Sequence, residues 1–273
     1  MFAEILINLL YIALFLVIAF VGLKIFDFAF NLTDSKQQNI VRAGLVASIA
    51  IATSPLFEGD ATNLLIDILQ VSLISIFVII LTIFSHMIND TITFPKVRNI
   101  DAIRKGNIAL AIVEFSSLIA VGIVIGTILD SYDDILKAFP YAFIGYLMSQ
   151  IMINIGVILY EKALDFIYKV NIRDMVYESN ISAGILMSSV YIVTVFLIAG
   201  AFTPSTSFTT QLLETVKYFL ISGVIVVGLK YIIDHVLVPS DNIKNIIEKD
   251  LYFKAFFIEM TTISTIFIYH FMM

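Results

Sequence analysis

Two stretches of this chain, Ala138 to Tyr160 and Asn180 to Leu213, contain no charged residue over a length that exceeds the roughly 20 residues needed to cross a bilayer core. A water-soluble domain has no place for such segments in series. The whole chain agrees: 60% of its 273 residues are hydrophobic and only 14% are charged, a composition whose apolar surface a soluble core cannot absorb. Ile5 to Leu23 is also uncharged, but it follows Met-Phe-Ala-Glu, with no cationic leader and no small-residue cleavage site after it. It reads as a first membrane helix and not as a signal peptide.

Hydrophobic runs predict eight helices: Ile5 to Phe30, Ile40 to Phe57, Leu64 to Ile88, Ile108 to Leu129, Ile135 to Tyr160, Ser179 to Phe202, Leu212 to Ile233 and Leu251 to Phe271. The expected fold is all-α, a polytopic bundle. Matching residues recur along it, as internal repeats require. Val21-Gly22-Leu23-Lys24 returns as Val227-Gly228-Leu229-Lys230, 206 positions on. An offset of 144 aligns His86 with Lys230, Asp90 with Asp234 and Lys105 with Lys249, and an offset of 73 aligns Asp101 with Asp174 and Asn107-Ile108 with Asn180-Ile181. These registers predict four copies of one helical hairpin, grouped as two pairs over 1–134 and 135–273.

Of the 16 Lys and Arg residues, 14 fall in the loops inside hairpins or on the adjoining helix ends, and only Lys137 and Lys217 fall between hairpins. By the positive-inside rule the intra-hairpin loops are expected in the cytoplasm and both termini outside. With no Trp in the chain, an interfacial aromatic belt would rest on Tyr, as at Tyr141, Tyr160, Tyr168, Tyr218 and Tyr231. Thr93-Phe94-Pro95 and Pro239-Ser240-Asp241 are expected to break helices, and Asp101 or Asp174 to cap the segment that follows.

The run Thr93-Phe94-Pro95, followed by Ile103-Arg104-Lys105-Gly106-Asn107-Ile108-Ala109-Leu110-Ala111, resembles the YjfL-like prokaryotic inner-membrane family, classed as a domain of unknown function. Members of that family carry the hairpin in two or four copies, so the resemblance implies a repeated membrane bundle in a bacterial or archaeal inner membrane. It assigns no activity. The third unit keeps Ser179-Asn180-Ile181-Ser182-Ala183-Gly184, whereas the first has Gly44-Leu45 and the fourth Asp250-Leu251 where the pattern has Gly-Asn. Asn107 and Asn180 therefore share a role that the outer units cannot reproduce.

The residues that could carry chemistry are the polar ones at membrane depth. Glu114 lies seven residues beyond Asn107, about 10 Å along its helix at about 1.5 Å per residue, and Glu259 sits at similar depth in the last helix. Burying an ionised carboxylate in hydrocarbon costs several kcal/mol, so each is expected to be protonated, paired or facing a wet cavity. Their separation of 145 positions misses the repeat register by one, about 100° of helical phase, so they need not face each other. A second group lies at the ends of the odd helices: Lys24 with Asp27, His86 with Asp90, Glu161 with Asp165, and Lys230 with Asp234. The last pair, at i and i+4, is expected to share one face. Gln150 and Asn154 have the same spacing, and Gly122-Ile-Val-Ile-Gly126 is a close-packing GxxxG pattern.

Chemistry is also excluded. There is no cysteine, hence no disulfide and no thiolate site, and the three histidines His86, His235 and His270 are scattered. No hydrolase, P-loop or metal motif is present. No enzymatic activity, cofactor or nucleic-acid role is implied. Two functional classes remain: a non-enzymatic envelope component (scaffold, sensor or partner-binding protein), or a proton- or cation-linked channel or transporter with Glu114 and Glu259 in its pathway. The partner required by composition is the lipid bilayer; a second copy of the chain, or another membrane or cytoplasmic protein, stays open.

Overall fold

The computed structural model describes residues 2–32, 34–58, 64–132, 134–199, 201, 207–236, 238 and 241–272, and every described element is helical. The helices are α1 (Phe2–Phe30), α2 (Lys36–Thr53), α3 (Leu64–Ile88), α4 (Asn99–Arg104), α5 (Ile108–Asp130), α6 (Ile135–Tyr168), α7 (Ile172–Tyr177), α8 (Ile181–Ala199), α9 (Phe208–Val236), α10 (Ile243–Glu248) and α11 (Tyr252–Met272). Six described segments are long and apolar enough to cross a membrane: Leu9–Phe30, Lys36–Leu56, Leu65–Thr93, Ile108–Asp130, Lys137–Tyr168 and Ile181–Ala199. The chain is thus an all-helical protein of membrane type.

Local chemistry sets the boundaries. α2 starts four residues before the expected Ile40, because Ser35 accepts a hydrogen bond from Gln38 N–H and so satisfies an otherwise orphan donor of the first turn. It ends at Thr53, and Ser54–Glu58 tightens into a 3-10 turn around Pro55. The caps of the short helices correct another expectation. Asn171 and Asn242, not the aspartates, accept from the first turns of α7 and α10, and α4 has no side-chain cap at all. α3 runs beyond Ile88 into a single π-helical turn, Asn89–Thr93, closed by Phe94 N–H on Asn89 C=O at 2.8 Å. Pro95 follows, and it forces the chain out of helix.

Packing forms a row. The return helices α2, α5, α8 and α11 lie side by side in chain order, while α1, α3, α6 and α9 flank them. Small residues make the row tight. A Cβ on Gly122 would stand 2.5 Å from the carbonyl oxygen of Ser48, and one on Gly184 would stand 2.7 Å from Cα of Ala109. Lipid tails are as apolar as the helices, so close backbone approach of this kind supplies the packing that holds such helices together. α5, at the middle of the row, is buried along most of its length.

At the loop end of the bundle, adjacent segments clasp one another. Asn107 caps α5 by accepting from Leu110 N–H at 2.8 Å, while its amide donates to the carbonyls of Val176 and Tyr177 at the end of α7. Ser179 answers by accepting from Ile108 N–H. One step along the row, Asn180 caps α8 and donates to Ile247 C=O at 2.7 Å, and Asp250 accepts from Ser182 N–H. Ser179 and Asp250 hold φ of 66° and 48°, matching Gly106 at the end of α4. Two non-glycine residues stay in that left-handed region because their side chains each satisfy a helix-start N–H. Outside the membrane segments, Lys96 pairs with Asp174, which holds its ammonium above the usual lysine range, and Lys96 N–H donates to Tyr177.

Candidate functional site

Glu114 is the centre of the first buried cluster. It lies on α5, one turn beyond Leu110, with no side-chain exposure, and three segments converge on its carboxylate. Oε1 accepts from the Asn99 amide of α4 at 2.6 Å, and Oε2 accepts from the Asn89 amide of the π turn at 3.2 Å. Oε2 also lies 3.0 Å from Nδ1 of His86, which is itself fully buried. On the far side of the imidazole, Nε2 lies 4.0 Å from Oδ2 of Asp90, whose side chain is 17% exposed. Asn99 clamps both acids, since its backbone N–H donates to Asp90 Oδ1 at 2.7 Å. Phe30 packs edge-on against the imidazole, with ring centroids 4.3 Å apart. The π turn makes this geometry, because an extra residue in one turn re-aims the side chains that follow, as such turns do at many functional sites.

The second buried cluster belongs to the other end of the row. Lys230 of α9 donates to Glu259 Oε1 of α11 at 2.7 Å and to Ser189 Oγ of α8 at 3.0 Å. Its ammonium also stands 4.2 Å from the centre of the Tyr160 ring. Tyr160 is thereby buried in the protein instead of lying in an interfacial belt. Lys230 takes Glu259 as a partner, while the side chain of Asp234, expected on the same face, lies outside the described residues. Isolated, either charge would be expensive at this depth, and pairing with hydrogen-bonded neighbours offsets that cost.

Two other charged groups of the long helices find partners elsewhere in the fold. Asp27 is held by Arg42 of α2, at 2.9 Å through both Nε and the guanidinium nitrogen Nη2, and Glu161 is held by Arg173 of α7 at 2.8 Å. Lys24 lies over the Phe20 ring. These bridges are part-exposed, whereas the pairs His86 with Glu114 and Lys230 with Glu259 are buried. Glu114 and Glu259 do not meet. Each takes a base from the long helix preceding its own return helix.

A polar network extends from the first cluster toward α6 and α8. Tyr191 of α8 donates to Asn89 Oδ1 at 3.0 Å, and Thr93 donates to Asn154 Oδ1 of α6 at 2.8 Å. Asn154 donates back to the Gln150 carbonyl, and Gln150 Oε1 accepts from Ser85, which shares a 3.0 Å hydrogen bond with Ser117. α8 therefore touches both clusters, through Ser189 at one and Tyr191 at the other. Asn107 and Asn180 lie apart from both, in the loop-end clasps. Asn89, Asn99, Ser189 and Tyr191 carry no motif, and only their polarity within or beside apolar runs marks them. Among the described residues no group of His, Asp and Glu is arranged to hold a metal ion.

No curated protein and no solved structure matches the chain. The family model described as Domain of Unknown Function (DUF350) matches residues 1–129 and 134–273, which is nearly the whole chain, and this protein belongs to that family.

Proposed function

We propose that this chain is a proton-handling channel or transporter of the inner (plasma) membrane, in which Glu114 and His86 exchange a proton and Asp90 links them to the loop face. One observation carries the reading: a fully buried carboxylate, an imidazole at 3.0 Å and a part-exposed carboxylate at 4.0 Å from the other ring nitrogen line up from core to surface. Imidazole suits the middle position because one nitrogen can accept a proton while the other gives one up. A proton arriving from Asp90 at Nε2 leaves Nδ1 for Glu114 Oε2, and neutral Glu114 then loosens its hold on the Asn89 and Asn99 amides. Asn89 is bonded to Tyr191 of α8, so the change is felt by the helix that also contacts Lys230.

The membrane arrangement belongs to the same proposal. α9, of 29 residues, and α11, of 21, join the six apolar spans, since α11 reaches about 30 Å at about 1.5 Å per residue, the thickness of a bilayer core. The eight spans make four hairpins, α1 with α2, α3 with α5, α6 with α8 and α9 with α11. The recurrence of short helix, left-handed residue and return helix at α4, α7 and α10 supports descent from one repeated unit. The basic loops lie in the cytoplasm and both termini outside. Tags at either terminus should be reached by impermeant reagents from outside whole spheroplasts, and tags in the α3–α5 loop should not; the reverse result would overturn this orientation.

A second reading, a non-enzymatic envelope component, is favoured by the saturation of Glu114. Each of its oxygens accepts an amide hydrogen bond, as in polar glue between helices. Proton flux into liposomes separates the two readings. Transport predicts a pH change that falls in Glu114→Gln and Asp90→Asn while the protein stays folded. Absence of flux from folded wild-type protein, with a partner that crosslinks equally well to both variants, would replace transport by the envelope reading.

A further inference from the structure

A cleft of about 470 Å³ opens between α6, α8 and α9, within the roughly 300–1,000 Å³ range of small-molecule sites. Its rim is formed by Leu159, Leu220 and Val224, which are 54%, 61% and 76% exposed on the bundle's apolar periphery. Its floor is buried: Val193, Thr194, Ser189 and Phe219 on the walls, and Lys230 at one end. The lining is almost wholly apolar. The one cation that borders it is already committed to Glu259, Ser189 and the Tyr160 ring, so the cleft offers an entering molecule no net charge to meet.

The glycines of α9 point the same way. Gly44, Gly122, Gly126 and Gly184 each admit a neighbouring backbone where a Cβ would collide, but a Cβ on Gly223, in the cleft wall, would meet nothing within 4 Å. A glycine inside a helix costs up to about 1 kcal/mol relative to alanine, and no protein atom here uses the space it leaves. The opening lies on the bundle's exposed apolar periphery, and the walls select against polar matter.

We infer that this cleft is a binding site for one acyl chain of a membrane lipid, which enters over Leu220 and Val224, passes Gly223 and ends short of Lys230. The chain so held packs against Ser189 and Phe219 and lies behind the ordinary lipid boundary. This assignment rests on the proposed membrane arrangement, with α9 as a span, and is independent of proton movement at Glu114.

The absence of tryptophan makes a direct test available. Single Trp reporters are placed at Phe219 on the buried wall, at Leu220 on the exposed rim and at Phe26 in the core away from the cleft, and the full-length protein is put in nanodiscs of phosphatidylcholine with brominated acyl chains. Quenching in Phe219→Trp should approach that in Leu220→Trp, while Phe26→Trp stays bright. Adding Gly223→Leu should return Phe219→Trp to the Phe26→Trp level and leave Leu220→Trp unchanged; Gly223→Ala, a smaller filler, should give an intermediate loss should the leucine variant misfold. Quenching in Phe219→Trp no greater than in Phe26→Trp would overturn the inference. Quenching of Phe219→Trp by an isoprenoid quinone but not by brominated phospholipid would overturn the acyl-chain assignment in favour of an isoprenoid.

Discussion

The Tyr191 hydroxyl donates to Asn89 Oδ1 across 3.0 Å, joining the eighth helix in the chain to the π turn that also presents an amide to Glu114. Two positions earlier on the same helix, Ser189 accepts from Lys230. One rigid element thus has a finger in each buried cluster.

Removing the Tyr191 hydroxyl tests that link. Tyr191→Phe leaves Asn89 Oδ1 with Thr93 at 3.3 Å as a remaining donor, so the expected loss is about 1 kcal/mol, the net worth of one hydrogen bond. Ser189→Ala should cost a similar amount. If α8 couples the clusters, the double variant departs from additivity by more than about 0.5 kcal/mol; strict additivity in denaturant titrations of the detergent-solubilised protein would make α8 a passive spacer.

The clasp at Asn180 separates into two roles. Asn180→Ser keeps an acceptor for the first turn of α8, since serine caps about as well as asparagine, but its side chain is too short to reach Ile247 C=O. Its expected cost is about 1 kcal/mol. Asn180→Ala loses both roles and should cost about 2 kcal/mol. Equal losses in the two variants, read from unfolding midpoints, would mean that the cap contributes nothing, and no loss in Asn180→Ser would mean the same of the contact with Ile247.

Glycine substitutions should divide by position. Gly122→Ala sets a methyl group 2.5 Å from the Ser48 carbonyl oxygen and must push α2 from α5, a loss of about 1–3 kcal/mol typical of overpacking. Gly228→Ala meets no atom within 4 Å and should be neutral or stabilising by up to about 1 kcal/mol through helix propensity. Thermal melts of the two variants in one detergent are expected to move in opposite directions or differ plainly in size.

Much of the helical layout is legible in the residues because charge is so costly in lipid. The uncharged run from Ala138 lies wholly inside α6, and the run from Asn180 contains all of α8, while Glu114 and Glu259 stand out for the same reason. Their partners are not legible by that route. A soluble helix advertises its buried face by alternation of apolar and polar residues, but here the lipid side and the core side are equally apolar, so α3, α5 and α8 carry no stripe that says which residues meet. Local spacing does not reveal such partners: the bond of Lys230 runs to Glu259 on the next long helix. Asn99 is harder still. It opens the short α4, and its place under Glu114 depends on that helix folding back beneath α5.

The row of return helices has a consequence for biogenesis. Because each of these helices leans chiefly on those before and after it in chain order, a hairpin released from the insertion machinery finds its docking surface already built by its predecessor. Assembly can then proceed from the N-terminal end in step with translation, as in stacked repeat proteins whose units depend on nearest neighbours, and no late helix has to thread between earlier ones.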